Sequence, residues 1–272
     1  MLVKNLKKIA FWSICVGLIS LSCNNHTDNT IDNNVTTPAN DNHPAALAYT
    51  ITNTYPHNPQ SFTEGLEWHD SILYEGTGLE KHSRLAAVSL KTGMDIKSVK
   101  LEDSYFGEGI TILNGKIYEL TWQSGKAFVY DAKTFKKIKE FTYDGEGWGL
   151  TNNGKEIIMS NGTGKIVYRN PETFDVTRTI DVTTDTGAVN YINELELVDG
   201  FIYANIWETK YIVKINPANG KVVAVADFTG IREQYGIPQQ ADVLNGIAYD
   251  SIGKRFFITG KYWPKVFEVK FN

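Results

Sequence analysis

From Tyr49 onward the chain alternates apolar and polar residues in short runs, as in Lys116-Ile117-Tyr118-Glu119-Leu120 and Phe128-Val129-Tyr130. Side chains of an extended strand point to opposite faces in turn, so this period of two predicts half-buried β-strands. Turn pairs separate the runs: Asn114-Gly115, Ser124-Gly125, Asn153-Gly154, Asp199-Gly200 and Asn219-Gly220. No stretch carries a helical period.

The runs repeat as a unit. A residue-Gly-aliphatic step recurs as Glu64-Gly65-Leu66, Glu108-Gly109-Ile110, Trp148-Gly149-Leu150 and Asn245-Gly246-Ile247, and once with glutamate for glycine as Asn193-Glu194-Leu195. A second strand-like run follows each step, at Tyr74, Tyr118, Ile158, Tyr203 and Phe257. Lys91-Thr92-Gly93, Lys133-Thr134-Phe135, Pro171-Glu172-Thr173-Phe174 and Pro217-Ala218-Asn219-Gly220 fall at equivalent turns. The gaps between successive copies are 44, 40, 45 and 52 residues. Several short strands per period of about 40–50 residues mark a β-propeller blade, so five copies predict an all-β, five-bladed propeller over 49–272. The fifth copy has room for only about three strands. The alternating stretch Tyr49-Thr50-Ile51-Thr52-Asn53-Thr54 stands unpartnered before the first copy. This N-terminal strand is expected to complete the last blade and close the ring.

The segment before the propeller has a different composition. Lys4, Lys7 and Lys8 precede an apolar run from Ile9 to Leu21 that is too short for a stable membrane span, and residues 1–22 read as a secretory signal. Ser20-Leu21-Ser22-Cys23 ends that run as a bacterial lipoprotein signal does, although the usual leucine three residues before the cysteine is Ser20. Cys23 is therefore the candidate lipidation site and the expected membrane anchor; the alternative is an ordinary cleaved signal with Cys23 incidental. Residues 23–48 are rich in Asn, Thr and Asp and read as a flexible tether. The protein is thus expected to be exported and anchored, facing the periplasm or the cell exterior, as a monomer. Both cysteines, Cys15 and Cys23, lie in this leader, which leaves the body without thiol chemistry.

Charge narrows the partners. Loss of the three leader lysines from 27 basic residues leaves 24 against 31 acidic ones, a net −7 with no basic patch, so nucleic acid is not expected. The histidines, His26, His43, His57, His69 and His82, lack zinc-ligand spacing, and no phosphate-binding loop or nucleophile elbow is present. Neither metal nor cofactor is called for.

In a propeller the innermost strands surround the axis, and equivalent positions form rings around it. The residue before the repeat's glycine makes one ring of Glu64, Glu108, Trp148, Asn193 and Asn245. Twelve residues beyond the aliphatic position, with two more in the last copy, a second ring holds Gly78, Trp122, Gly162, Trp207 and Lys261. Aromatic walls beside carboxylates make a concave site that raises carboxyl pKa values by desolvation and holds an ammonium over an indole face. Trp68 reads as packing, and Trp263 as packing or pocket rim.

At these residues the sequence resembles a known family. Phe62-Thr63-Glu64-Gly65-Leu66, Tyr105-Phe106-Gly107-Glu108-Gly109-Ile110-Thr111, Gly145-Glu146-Gly147-Trp148-Gly149-Leu150-Thr151, Tyr203-Ala204-Asn205-Ile206-Trp207 and Thr259-Gly260-Lys261-Tyr262-Trp263-Pro264-Lys265 are similar to the signatures of plant-type glutaminyl-peptide cyclotransferases. The resemblance runs from about residue 50 to the end. It implies a five-bladed propeller that converts the N-terminal glutamine of peptides to pyroglutamate with release of ammonia. The residues implicated in that family match Glu108, Trp122, Trp148, Asn193, Trp207 and Lys261 here; the candidate catalytic residues are Glu108, Asn193 and Lys261, and the candidate substrate-binding residues Phe62, Glu64, Trp122, Trp148, Trp207 and Asn245. Glu64 departs from the pattern, which more often has glutamine there.

The residue types suit that reaction. The α-amine attacks the γ-amide carbon of its own residue, so holding the side chain curled lowers the barrier. Ammonia must leave protonated, and Glu108 can carry the proton from amine to amide nitrogen, general acid–base work worth about 10²–10⁴-fold. Lys261 either orients Glu108, grips a substrate carbonyl, or forms an ion pair with no catalytic part. Two rival readings use the same rings: a calcium-dependent propeller hydrolase or lactonase liganded by Glu64, Glu108, Asn193 and Asn245, and a non-enzymatic binding propeller whose aromatic box holds an amine or a peptide end.

Overall fold

The computed structural model describes residues 43–272; the signal segment, Cys23 and the tether up to residue 42 lie outside them. Five antiparallel sheets of four core strands each form the blades. Blade 1 comprises Thr63–His69, Ile72–Thr77, Arg84–Val88 and Asp95–Lys100 from the axis outward, and blade 2 Gly107–Leu113, Lys116–Thr121, Lys126–Asp131 and Lys137–Thr142. Blade 3 comprises Leu150–Asn152, Ile157–Ser160, Lys165–Arg169 and Val176–Asp181, and blade 4 Ile192–Val198, Phe201–Ile206, Tyr211–Ile215 and Val222–Asp227. Blade 5 has three strands from the C-terminal end of the chain, Leu244–Asp250, Arg255–Gly260 and Lys265–Phe271, and takes its fourth, Tyr49–Pro56, from the N-terminal side. The register from Tyr49↔Phe271 to Pro56↔Lys265 closes the ring as the repeat count predicts.

Two features depart from the sequence reading. Ala45–Ala46, inside the expected tether, pairs in parallel with the outer strand of blade 4, Ala45 opposite Ala224. The longest gap between copies contains a helix, Ile231–Tyr235, which at five residues is too short to display a period. Among the described residues no helix is long and apolar enough to cross a membrane.

The core lies between blades. Each of five apolar clusters joins two neighbours; one packs Ile110, Ile112 and Ile117 of blade 2 on Tyr74, Leu85 and Ala87 of blade 1. Because every blade is sandwiched, the runs read as half-buried are buried on both faces. Lys116–Thr121 is buried from Ile117 onward, including Glu119, whose carboxyl is pushed up to about 8 by burial.

At the axis the repeat's glycines let the innermost strands touch backbone to backbone. A Cβ on Gly109 would come within 2.5 Å of the Trp148 carbonyl oxygen, and one on Gly149 within 2.2 Å of that of Asn193. The fourth copy uses its glutamate instead. Glu194 is fully buried and reaches across the axis, its two oxygens accepting hydrogen bonds from Leu66 N at 3.2 Å in blade 1 and Ile247 N at 2.8 Å in blade 5. It therefore ties together the three blades where the ring closes.

Beside that closure His57 and Glu75 form a buried pair, Nε2 to Oε1 at 2.8 Å, which Arg84, Ser61 and Thr63 extend through further hydrogen bonds to Glu75. Burial would raise the Glu75 carboxyl, but the charges of His57 and Arg84 and these hydrogen bonds outweigh it and hold the group down at about 2.

Candidate active site

In four blades the rungs that pair Thr63 with Thr77, Gly107 with Thr121, Ile192 with Ile206 and Leu244 with Gly260 place the first-ring residue beside the second-ring residue of its own blade, and in blade 3 Trp148 N bonds Ser160 O, two residues before Gly162. Both rings therefore surround one mouth of the axis. There they enclose a cavity of about 320 Å³, at the small end of ligand sites, which span about 300–1,000 Å³. Glu64, Glu108 and Asn193 line it together with Trp122, Trp207 and Lys261. Phe62 and Trp148 complete the expected set. Asn245 is the exception: it is fully buried, does not line the cavity, and donates from Nδ2 to Thr63 O at 3.0 Å and Glu64 Oε2 at 3.3 Å. It supports Glu64 from below.

The two glycines of the second ring make room for neighbours' rings. A Cβ on Gly78 would stand 2.3 Å from Phe106 Cε1, and one on Gly162 would stand 2.5 Å from two atoms of the Trp148 indole. Phe106 also meets Trp122 at 5.6 Å between centroids and Phe62 at 6.0 Å, edge on. Trp148 meets Trp207 edge on at 5.6 Å. Glu146 anchors the box, one oxygen accepting the indole N–H of both Trp122 and Trp148 at 2.9 Å. Its burial would raise the carboxyl, but these bonds and one from Gln123 hold it below the usual range. Trp263 lies beneath, 1% exposed, with its indole N–H on the Asp242 carbonyl oxygen, and Trp68 stacks on Phe257 in the core.

Phe106, Glu208, Asp242 and Val243 line the cavity and were not singled out from the sequence. Two of these, Phe106 and Val243, were within reach. Residues two before the first ring are Phe62, Phe106, Glu146, Tyr191 and Val243. In an extended chain an offset of two returns to the same face, so a third ring was implied. Tyr191 packs on Trp207 at 5.9 Å, which gives every member of that ring a place in the box or its wall.

The charges are arranged unequally. Lys261 Nζ bonds Glu64 Oε1 at 2.6 Å and lies 4.4 Å above the Phe62 ring. Burial pushes the Glu64 carboxyl up to about 7, against the pull of Lys261 and with a further push from Asp242. Glu108 is raised well above the carboxylate range by burial first and by the Glu64 charge second, with Lys261 opposing. No described residue hydrogen-bonds its carboxyl. Asn193 Oδ1 is buried without a partner. The cavity therefore holds a carboxyl pushed toward its neutral form and an unmatched carbonyl acceptor inside an aromatic wall.

This arrangement has relatives. The sequence profile of the glutamine cyclotransferase family matches residues 22–271. This chain belongs to that family. A glutaminyl-peptide cyclotransferase of Arabidopsis thaliana is 35% identical over 222 residues, which cover 79% of this chain and 69% of that protein. The crystal structure of Myxococcus xanthus glutaminyl cyclase is similar with a TM-score of 0.79 at 33% identity, covering 85% of this chain and 99% of that one. The glutamine cyclotransferase signatures quoted from the sequence thus belong to a five-bladed propeller, and in this member of the family Lys261 pairs with Glu64, not Glu108. Of the four oxygen ligands in the calcium reading, Glu64 is bound by Lys261 at 2.6 Å and Asn245 stands outside the cavity, which leaves Glu108 and Asn193 facing it.

Proposed function

We propose that this chain is a glutaminyl-peptide cyclotransferase acting on peptides and proteins with an N-terminal glutamine. The observation that carries the reading is a buried Glu108 carboxyl, without a hydrogen-bond partner among the described residues, facing an aromatic cavity of about 320 Å³; burial and the Glu64 charge push it toward its neutral form. A glutamine side chain is polar but uncharged and packs flat against indoles, and its amide N–H matches the unpartnered Asn193 Oδ1, relieving a desolvation cost of about 1–3 kcal/mol.

Glu108 supports the following sequence. The neutral α-amine attacks the γ-amide carbon and closes the five-membered lactam. Glu108 delivers its proton to the amide nitrogen, so the C–N bond breaks with ammonia as leaving group. The resulting carboxylate takes the surplus proton from the ring nitrogen, and Glu108 is an acid again. A free α-amine has a pKa of about 7.7–8, so a useful fraction is neutral near pH 7. Lys261 acts through Glu64, favouring the charged form of that carboxyl beside Glu108, which burial and the Glu64 charge push the other way.

The test is ammonia release from Gln-Ala and acetyl-Gln-Ala. Release from the free-amine dipeptide alone, with Glu108→Gln lowering kcat by about 10²–10⁴-fold and KM changing less, is the expected result. No release from either by folded wild-type protein would refute the assignment. The proposal includes export and anchoring through Cys23, which rests on the leader's charge, apolar run and cysteine. Labelled palmitate should enter the protein and be absent from Cys23→Ser.

A further inference from the structure

The cavity that takes the glutamine has a neighbour on each side. One of about 170 Å³, between blades 4 and 5, shares Glu208 and Val243 with it. The other, about 400 Å³, lies on blade 1 and shares Phe62. A peptide continues beyond its first residue by about 3.3–3.6 Å per residue, so the second residue must lie on the rim and turn to one side.

The two sides offer different chemistry. The cavity between blades 4 and 5 has a floor of Phe228, Ile231, Leu244 and Trp263, each buried to within 4% of complete. Exposed Glu208 and Glu233 line it, and exposed Asp242 lines the adjoining reacting cavity, one residue before the shared Val243. None of these three carboxylates is in an ion pair among the described residues. Two cations line it as well. Arg232 is immobilised, donating from one nitrogen to the carbonyls of Pro238, Gln239 and Ala241 at 2.8, 3.1 and 2.7 Å, and Lys210 faces solvent beside Asp227. The blade 1 cavity is instead walled by Asn58, Gln60, Ser61, His82 and Arg84. It would suit a polar or acidic residue.

An apolar floor under an acidic edge matches lysine and arginine, whose aliphatic stems bury while their charged heads stay in water. We propose that the cavity between blades 4 and 5 binds the side chain of the residue that follows the N-terminal glutamine, and that it selects a basic residue there. The helix Ile231–Tyr235 and the loop after it, which make the gap between the fourth and fifth copies the longest, build this subsite. The inference rests on the cyclotransferase reading of the adjoining cavity.

The experiment compares kcat/KM for ammonia release from Gln-Lys-Ala, Gln-Ala-Ala and Gln-Asp-Ala at low and high salt, in wild type and in Glu208→Gln/Glu233→Gln. Wild type should prefer lysine over aspartate by about three- to ten-fold at low salt, and the ratio should shrink as salt screens the exposed carboxylates. The double variant should lose most of the discrimination, and Glu208→Lys should reverse it. Equal rates for the three peptides, or a preference that the variants leave intact, would overturn the proposal. A preference for aspartate would also overturn it and place the second residue against His82 and Arg84. Absence of release from all three would overturn the cyclotransferase assignment itself.

Discussion

Gly78→Ala is a geometric test of the site. The ideal Cβ would lie 2.3 and 2.6 Å from Phe106 Cε1 and Cζ and 3.1 Å from Glu64 Cγ. Carbon atoms rest about 3.5–4.0 Å apart, so the Phe106 ring must retreat by about 1.2–1.7 Å. It cannot do so alone, because Phe62 stands edge on at 6.0 Å and Trp122 at 5.6 Å. The displacement passes into the aromatic wall and toward Glu64, where about 1 Å of misplacement can cost 10²-fold in rate. Overpacking of this kind also costs about 1–3 kcal/mol of stability. Gly115→Ala separates the two effects: its φ of 72° strains an alanine by about 1–2 kcal/mol, yet nothing lies within 4 Å of the added Cβ. We expect kcat/KM for Gln-Ala to fall by about 10- to 100-fold in Gly78→Ala and to stay at the wild-type value in Gly115→Ala, with comparable losses of thermal stability in both. A Gly78→Ala enzyme within about two-fold of wild type would refute the claim that Phe106 fills the space over Gly78 to shape the pocket.

Further outcomes follow from the charges. Glu64→Gln removes one of the influences that raise Glu108 and leaves Lys261 to lower it, so the alkaline limb of the kcat/KM profile, where Glu108 loses its proton, should move to lower pH; an unmoved limb counts against the coupling. Glu146→Ala frees both box indoles that it now holds, and KM should rise by about ten-fold with a smaller change in kcat, read from steady-state kinetics. Glu75→Gln strands the buried His57 and Arg84 charges at a cost of about 3–5 kcal/mol, a fall in Tm of about 6–20 °C by calorimetry. Because Glu75 is held at about 2, below its ordinary 4.5, its contribution is present above pH 4.5 and is lost as pH falls toward 2. The Tm gap between wild type and Glu75→Gln should therefore close in acid. A gap that widened in acid would reverse the sign of the argument.

Much of this was legible in the residues. A repeat of roughly constant length whose copies each supply an inner strand can bury its faces only by packing copy on copy, and circular packing turns equivalent positions into rings. Periodicity alone therefore placed Glu64, Glu108, Trp148 and Asn193 with Trp122, Trp207 and Lys261 around one cavity, and brought Tyr49–Pro56 to the last blade. Ring membership fixes the height along the axis and not where a side chain points. Asn245 shares that height but turns under Glu64, Gly78 holds space that Phe106 enters from the next blade, and Gly162 holds space for the Trp148 indole of its own blade. Pairing across blades was equally out of reach. That Lys261 bonds Glu64, that Glu146 holds two indoles, and that Glu194 replaces the repeat's glycine to join three blades depend on distances between residues far apart in the chain. Composition and periodicity set which residues surround the axis, because strand alternation and repeat length are local properties. The tertiary structure decided which carboxyl is paired and which is pushed toward its neutral form, because burial and charge neighbours exist only once the ring is closed.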